Sequence, residues 1–114
     1  MEPEALYTNG RNAGLVEFCT LENAFEMGRQ GLNYSPVCSS LIEPRFLESM
    51  ERGKAARLLE EKSQWLNTEI ETLSDKIERS ENPNERKNFQ GELELLKQRL
   101  AETAREMASL TKSF

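Results

Sequence analysis

The chain has 114 residues, within the usual range of one domain, with 31% charged side chains against 37% hydrophobic and only 7% aromatic. That balance fits long solvated helices with a narrow apolar seam better than a broad compact core. The net charge of −5, without any cluster of Lys and Arg, argues against nucleic acid as the main partner, because phosphate binding needs concentrated positive charge.

Charge is unevenly spread. Residues 1–43 carry six acidic and two basic side chains, whereas residues 44–114 carry fourteen and thirteen. The second region is therefore a mixed-charge surface of the kind laced by i,i+4 pairs. No run of eighteen apolar residues occurs, so no transmembrane helix is expected. Met1-Glu2-Pro3-Glu4 also lacks the basic and apolar regions of a signal peptide. Taken alone, these features leave the chain in the compartment where it is made.

Two regions of different grammar meet near Pro44, giving a head over residues 1–43 and a second region over 44–114. In the first, a helix is expected over about Glu4 to Phe18 and another from Leu21 to Gln30, the latter N-capped by Thr20 and stopped at Gly31. A large side chain stands three residues before several glycines: Tyr7 with Gly10, Phe25 with Gly28, Met50 with Gly53. Positions i and i+3 share a helix face, so each pair sets a knob beside a place where another backbone approaches closely. This degenerate repeat predicts short helices packed at close range. Gly10 and Gly14 also have small-xxx-small spacing, but that motif is specific only in apolar membrane helices, and Asn9, Arg11 and Asn12 surround it. The turn-rich stretch from Gly31 to Pro36 leads into a connector whose Val37, Leu41 and Ile42 are expected to anchor it to the short helices.

Beyond Pro44 the pattern is heptad. Ala56, Ser63, Ile70 and Ile77 fill one core position, and Leu59, Leu66, Leu73 and Ser80 the other. The spacing resumes with Phe89, Leu93, Leu96, Leu100, Thr103, Met107 and Leu110. Between the seams, Asn82 suits an N-cap, Pro83 the first helical position, and Glu85 the far side of a capping box, which puts the turn at about 80–84. So short a connection forces antiparallel neighbours. The predicted fold is thus all-α: a small helical head with Gly/aromatic repeats, then a long antiparallel coiled-coil helical hairpin. Its helices, at 1.5 Å per residue, would run roughly 55 and 45 Å. A lone hairpin buries only a stripe on each helix, so a homodimer is expected to stabilise it as a four-helix bundle.

The residues that could carry chemistry are few. Cys19 and Cys38 are the only cysteines. They form either a disulfide closing a loop of about twenty residues, worth roughly 3 kcal/mol, or two buried thiols in a reducing compartment. A zinc site is disfavoured, since there is no histidine and two thiolates cannot complete a tetrahedral shell. No metal and no cofactor is expected. Catalysis is disfavoured too: the commonest general base is missing, and the carboxylates sit mostly at exposed heptad positions beside basic neighbours. The surface candidates for partner binding are Leu58 and Trp65, seven residues apart and each one residue ahead of a seam leucine. Tryptophan commonly anchors interfaces; the other reading is that this stripe covers the short N-terminal helices. Gly91 falls on the outer face of the second long helix, where it costs about 1 kcal/mol relative to Ala.

Tyr7-Thr8-Asn9-Gly10, Gly14-Leu15, Phe18-Cys19-Thr20, Glu22-Asn23-Ala24-Phe25, Gly28, Gly31, Tyr34, Val37-Cys38, Phe46 and Gly53 together resemble the DUF2799 family of uncharacterised bacterial envelope lipoproteins. The resemblance covers residues 7–53 and leaves the hairpin to generic coiled coil. It implies export behind a signal peptide, a lipid anchor on a cysteine upstream of this chain, a periplasmic location and a Cys19–Cys38 disulfide. It brings no activity. The leading expectation is then a non-enzymatic structural or adaptor protein of the envelope, presenting its hairpin to a protein partner. The alternatives are a cytoplasmic or phage-type adaptor that binds a protein through its acidic helical surface, and a ligand or metal sensor built on the cysteine pair.

Overall fold

The computed structural model describes residues 14–112. They form helices and connecting turns: residues 14–18 are helical (α1), followed by α2 (Leu21–Arg29), α3 (Glu43–Arg79) and α4 (Pro83–Thr111). The fold is all-α, as the periodicity predicts. The expected helix start at Glu4 and the Tyr7–Gly10 pair lie outside the described residues. The chain divides into two compact units, one up to Arg57 and one from Leu58 onward.

In the first unit, each end of α2 is set by side-chain or backbone chemistry. Thr20 has extended backbone, and its hydroxyl accepts the Asn23 N–H at 3.1 Å. At the other end Gly31 takes φ +72°. There the Gly31 N–H donates to Gly28 O and the Leu32 N–H to Met27 O, the paired bonds of a Schellman motif that satisfy two otherwise orphaned carbonyls. Any other residue would place a Cβ on the Arg57 guanidinium beside Gly31. Glycine is needed there for its conformation; the guanidinium, at the end of a flexible side chain, can swing aside.

The core of this unit comes from α2 and the first turns of α3: Ala24, Met27, Phe46 and Met50 are buried, with Phe18, Tyr34 and Cys38 packed against them. Phe46 is the hub, its ring 5.7 Å from that of Phe18 and 4.9 Å from that of Tyr34. The α2 and α3 backbones meet at two glycines. A Cβ on Gly28 would overlap Met50 O and lie 2.9 Å from Gly53 Cα, while one on Gly53 would overlap Phe25 O. The Phe25–Gly28 and Met50–Gly53 pairs are therefore the two halves of one helix crossing, the close approach their spacing predicts. Gly14 differs: nothing lies within 4 Å of a Cβ built there. Ser49, buried in the contact, donates to Leu21 O at 2.6 Å.

The connector is held differently from the sequence expectation. Of the three expected anchors Ile42 is half-buried, but Leu41 is 90% exposed and Val37 is also on the surface. Tyr34 and the disulfide take their place. The Tyr34 hydroxyl accepts the Val37 and Cys38 N–H groups at 3.2 and 3.0 Å and donates to Glu43 Oε2 at 3.1 Å.

The second unit is the body of the hairpin. Every seam residue predicted within it, from Leu59 to Ser80 and from Phe89 to Leu110, is buried or half-buried. Leu66 and Thr103 are 1% exposed. Threonine is tolerated in this seam because its hydroxyl donates to Arg99 O at 2.8 Å, which leaves no orphaned polar atom. At the turn, Asn82 Oδ1 accepts the N–H groups of Asn84 and Glu85 at 2.9 and 3.3 Å, and Pro83 opens α4. The Arg86 guanidinium donates to Ser80 O, tying the turn shut. Gly91 meets open space, as its outer position implies.

Candidate interaction surfaces and the disulfide

Cys19 and Cys38 are joined, with Cα atoms 5.8 Å apart. Cys19 immediately follows α1, and Cys38 lies beside Tyr34, so the bond fastens the entry of α2 to the connector at the edge of the Phe46 cluster. Neither sulfur is therefore a thiolate for metal or nucleophilic chemistry. Among the described residues no group of three or more His, Cys, Asp and Glu side chains gathers as a metal site. A disulfide persists in oxidising compartments, which makes this head compatible with an extracytoplasmic protein. Among the described residues no helix is long and apolar enough to cross a membrane.

On the hairpin, Leu58 and Trp65 are 66% and 56% exposed. Both immediately precede seam residues of α3, and so does Thr72, which precedes Leu73. A third large apolar side chain obeys the same rule on α4: Leu95, 48% exposed, immediately precedes Leu96. In antiparallel helices that face one another, residues one step before the seam fall on the same side of the pair. The groove there shows it directly, being lined by Glu69, Thr72 and Lys76 from α3 and by Glu92, Leu95 and Arg99 from α4. The large exposed apolar side chains described in the hairpin unit are these three, Leu58, Trp65 and Leu95, and all belong to this edge. The opposite edge carries polar or small residues: Asn67 and Ser74 on α3, Gln90, Lys97 and Ala104 on α4.

Charges on the apolar edge alternate in register. Lys62, Glu69 and Lys76 each precede a seam residue of α3, and Glu92, Arg99 and Glu106 each precede one of α4. Glu69, Lys76, Glu92 and Arg99 line one groove, and the antiparallel heptad frame sets Glu69 across from Arg99 and Lys76 across from Glu92. Heptad spacing carries the pattern on to Lys62 and Glu106. Opposite signs at each level favour this antiparallel register over one slipped by a heptad. The ammonium of Lys76 also stands 6.0 Å from the centre of the Phe89 ring, near the outer limit of a cation–π contact.

Leu58 and Trp65 stand out in the sequence, whereas Leu95 and the charge ladder do not. The signal was present: each of these residues stands one place ahead of a seam position, on whichever helix it lies. It becomes visible only once both helices are put in one antiparallel frame.

No curated protein and no solved structure matches the chain. Residues 1–55 match the model of a family described as a protein of unknown function, DUF2799, which bears out the resemblance seen in the glycines, aromatic residues and paired cysteines of the head.

Proposed function

We propose that the protein is a structural or adaptor component of the bacterial cell envelope, acting by binding rather than by catalysis. In this reading a disulfide-clamped head holds a coiled-coil hairpin that makes protein–protein contacts in the periplasm, as a homodimer, with a lipid anchor upstream of the chain. The observation that carries the reading is the edge of Leu58, Trp65 and Leu95, three large apolar side chains left in water on one side only of an otherwise polar rod. Isolated exposed apolar residues are ordinary, but a one-sided set that includes tryptophan is what interfaces use. The Cys19–Cys38 bond supports the periplasmic half of the reading, because such bonds are rare where glutathione keeps thiols reduced.

Two measurements on native cells test it. Alkylation of cysteines in intact cells should leave Cys19 and Cys38 unmodified until a reductant is added. A photo-crosslinking side chain at position 65 should give a discrete crosslinked band, and one at position 67 on the opposite edge should not. Two freely alkylated thiols would move the protein to the cytoplasm, and absence of any band at 65 would remove the interaction surface.

A further inference from the structure

Resting on the dimeric reading above, we propose that the occupant of the Leu58–Trp65–Leu95 edge is a second copy of this chain, packed antiparallel so that Trp65 meets Trp65 of the second copy across a two-fold axis.

The register of the two edges selects this packing. The edge of α3 reads Leu58, Lys62, Trp65, Glu69, Thr72, and that of α4 reads Leu95, Arg99, Glu102, Glu106. When α3 is laid on α3 of a second copy with Trp65 at the centre, Lys62 comes opposite Glu69 of the second copy, and Glu69 opposite its Lys62. The level of the axis is then fixed, and it falls midway between Arg99 and Glu106 on α4, since Glu69 is level with Arg99 and Lys62 with Glu106. Arg99 therefore comes opposite Glu106 of the second copy without further adjustment. Four charge pairs of opposite sign and a Trp65–Trp65 contact arise from one operation, which also sets Leu58 opposite Thr72 and one like-charged pair, Glu102 against Glu102 of the second copy, on the axis. An isologous two-fold contact demands this kind of self-complementarity.

The competing arrangement stacks two hairpins with their turns at the same end, so that α3 lies over α4 of the second copy. Its charges also match level by level, but it sets Trp65 opposite Glu102 and Leu95 opposite Thr72, leaving no apolar side chain facing another. Burying a tryptophan against a carboxylate forfeits the desolvation gain that makes tryptophan a hot spot. Charge permits both arrangements, and Trp65 selects the antiparallel one.

Trp65 is the only tryptophan in the chain, so its emission reports this site alone. On raising the concentration of the intact, oxidised protein, sedimentation should show a monomer–dimer equilibrium, and the emission should shift to the blue over the same range. Trp65→Ala should weaken the dimer by roughly thirtyfold, the loss typical of a hot-spot residue, with helical content by circular dichroism unchanged. Orientation is read by oxidative crosslinking of single-cysteine variants mixed in pairs. Lys62→Cys with Glu69→Cys should crosslink efficiently, and Lys62→Cys with Glu106→Cys poorly. The reverse preference overturns the antiparallel packing. A dimer whose Trp65 emission never shifts overturns this surface while leaving a homodimer in place, and a monomer at all concentrations overturns the homodimer as well, even where position 65 still crosslinks to a larger protein in cells.

Discussion

Gly28 on α2 and Gly53 on α3 sit face to face, each against the carbonyl that stands three residues ahead of the other glycine: Met50 O at Gly28 and Phe25 O at Gly53. This reciprocal arrangement converts a repeat of the sequence into a near-symmetric helix crossing. Close approach also brings glycine Cα–H groups towards carbonyl oxygens, a weak but recurrent attraction between helices. The crossing holds Phe46 and Met50 against Ala24 and Met27, and so fixes how α2 meets the start of the long helix.

Gly28→Ala and Gly53→Ala should each destabilise the head by about 3 kcal/mol, at the upper end of overpacking costs, because the atoms in the way are backbone and cannot rotate aside. Urea titration followed in the near-ultraviolet, where Tyr34 reports on the head, is the appropriate measurement. A loss under about 0.5 kcal/mol, the scale of an ordinary surface change, would mean that the two helices do not cross at these glycines.

Gly91 supplies the contrasting case within the same chain. Nothing lies within 4 Å of a Cβ built there, and the residue is inside α4. Gly91→Ala should therefore stabilise the hairpin by about 1 kcal/mol, seen as a raised Tm by circular dichroism. The opposite signs expected at Gly28 and Gly91 separate packing from helix propensity, which favours alanine at both positions.

Reduction of the disulfide tests the clamp. The bond closes a separation of 19 residues, and opening it should cost the head about 3 kcal/mol in the chain-entropy picture. Cys19→Ser with Cys38→Ser should reproduce the effect. Far-ultraviolet helicity should fall only modestly, since the seam from Leu59 to Leu110 contains none of the residues clustered around Phe46. Complete loss of helix on reduction would show that the hairpin depends on the head for its own folding.

The hairpin was legible in the sequence because a heptad seam is a local and redundant signal: fifteen positions obey one spacing, and Asn82-Pro83 marks the turn by local chemistry alone. The glycine crossing was legible for a similar reason, its two halves being alike. The connector was not. Leu41 and Val37 look like anchors by hydropathy but are exposed, while the anchor is Tyr34, whose hydroxyl gathers groups from Val37, Cys38 and Glu43. Ser49 was equally hidden, since its acceptor, Leu21 O, lies 28 residues away. Hydrogen bonds made across a tertiary contact leave no period in a sequence. Leu95 was missed because its neighbours on the edge, Leu58 and Trp65, belong to the other helix.

Tyr34 provides the last test, because its ring and its hydroxyl do separable work. The ring packs on Phe46 with centroids 4.9 Å apart, and the hydroxyl serves two backbone N–H groups and one carboxylate. Tyr34→Phe keeps the ring and removes the oxygen, leaving the Val37 and Cys38 N–H groups to water or to nothing. Because Cys38 is half-buried, the loss should be about 1–2 kcal/mol, above that of an exposed hydrogen bond, and amide exchange should quicken at Val37 and Cys38 without changing in α4. Tyr34→Ala should cost a further 2 kcal/mol or more, as aromatic truncation in a core does. Equal losses in the two variants would assign the whole effect to the hydroxyl, and a neutral Tyr34→Phe would leave the connector held by the disulfide and ring packing alone.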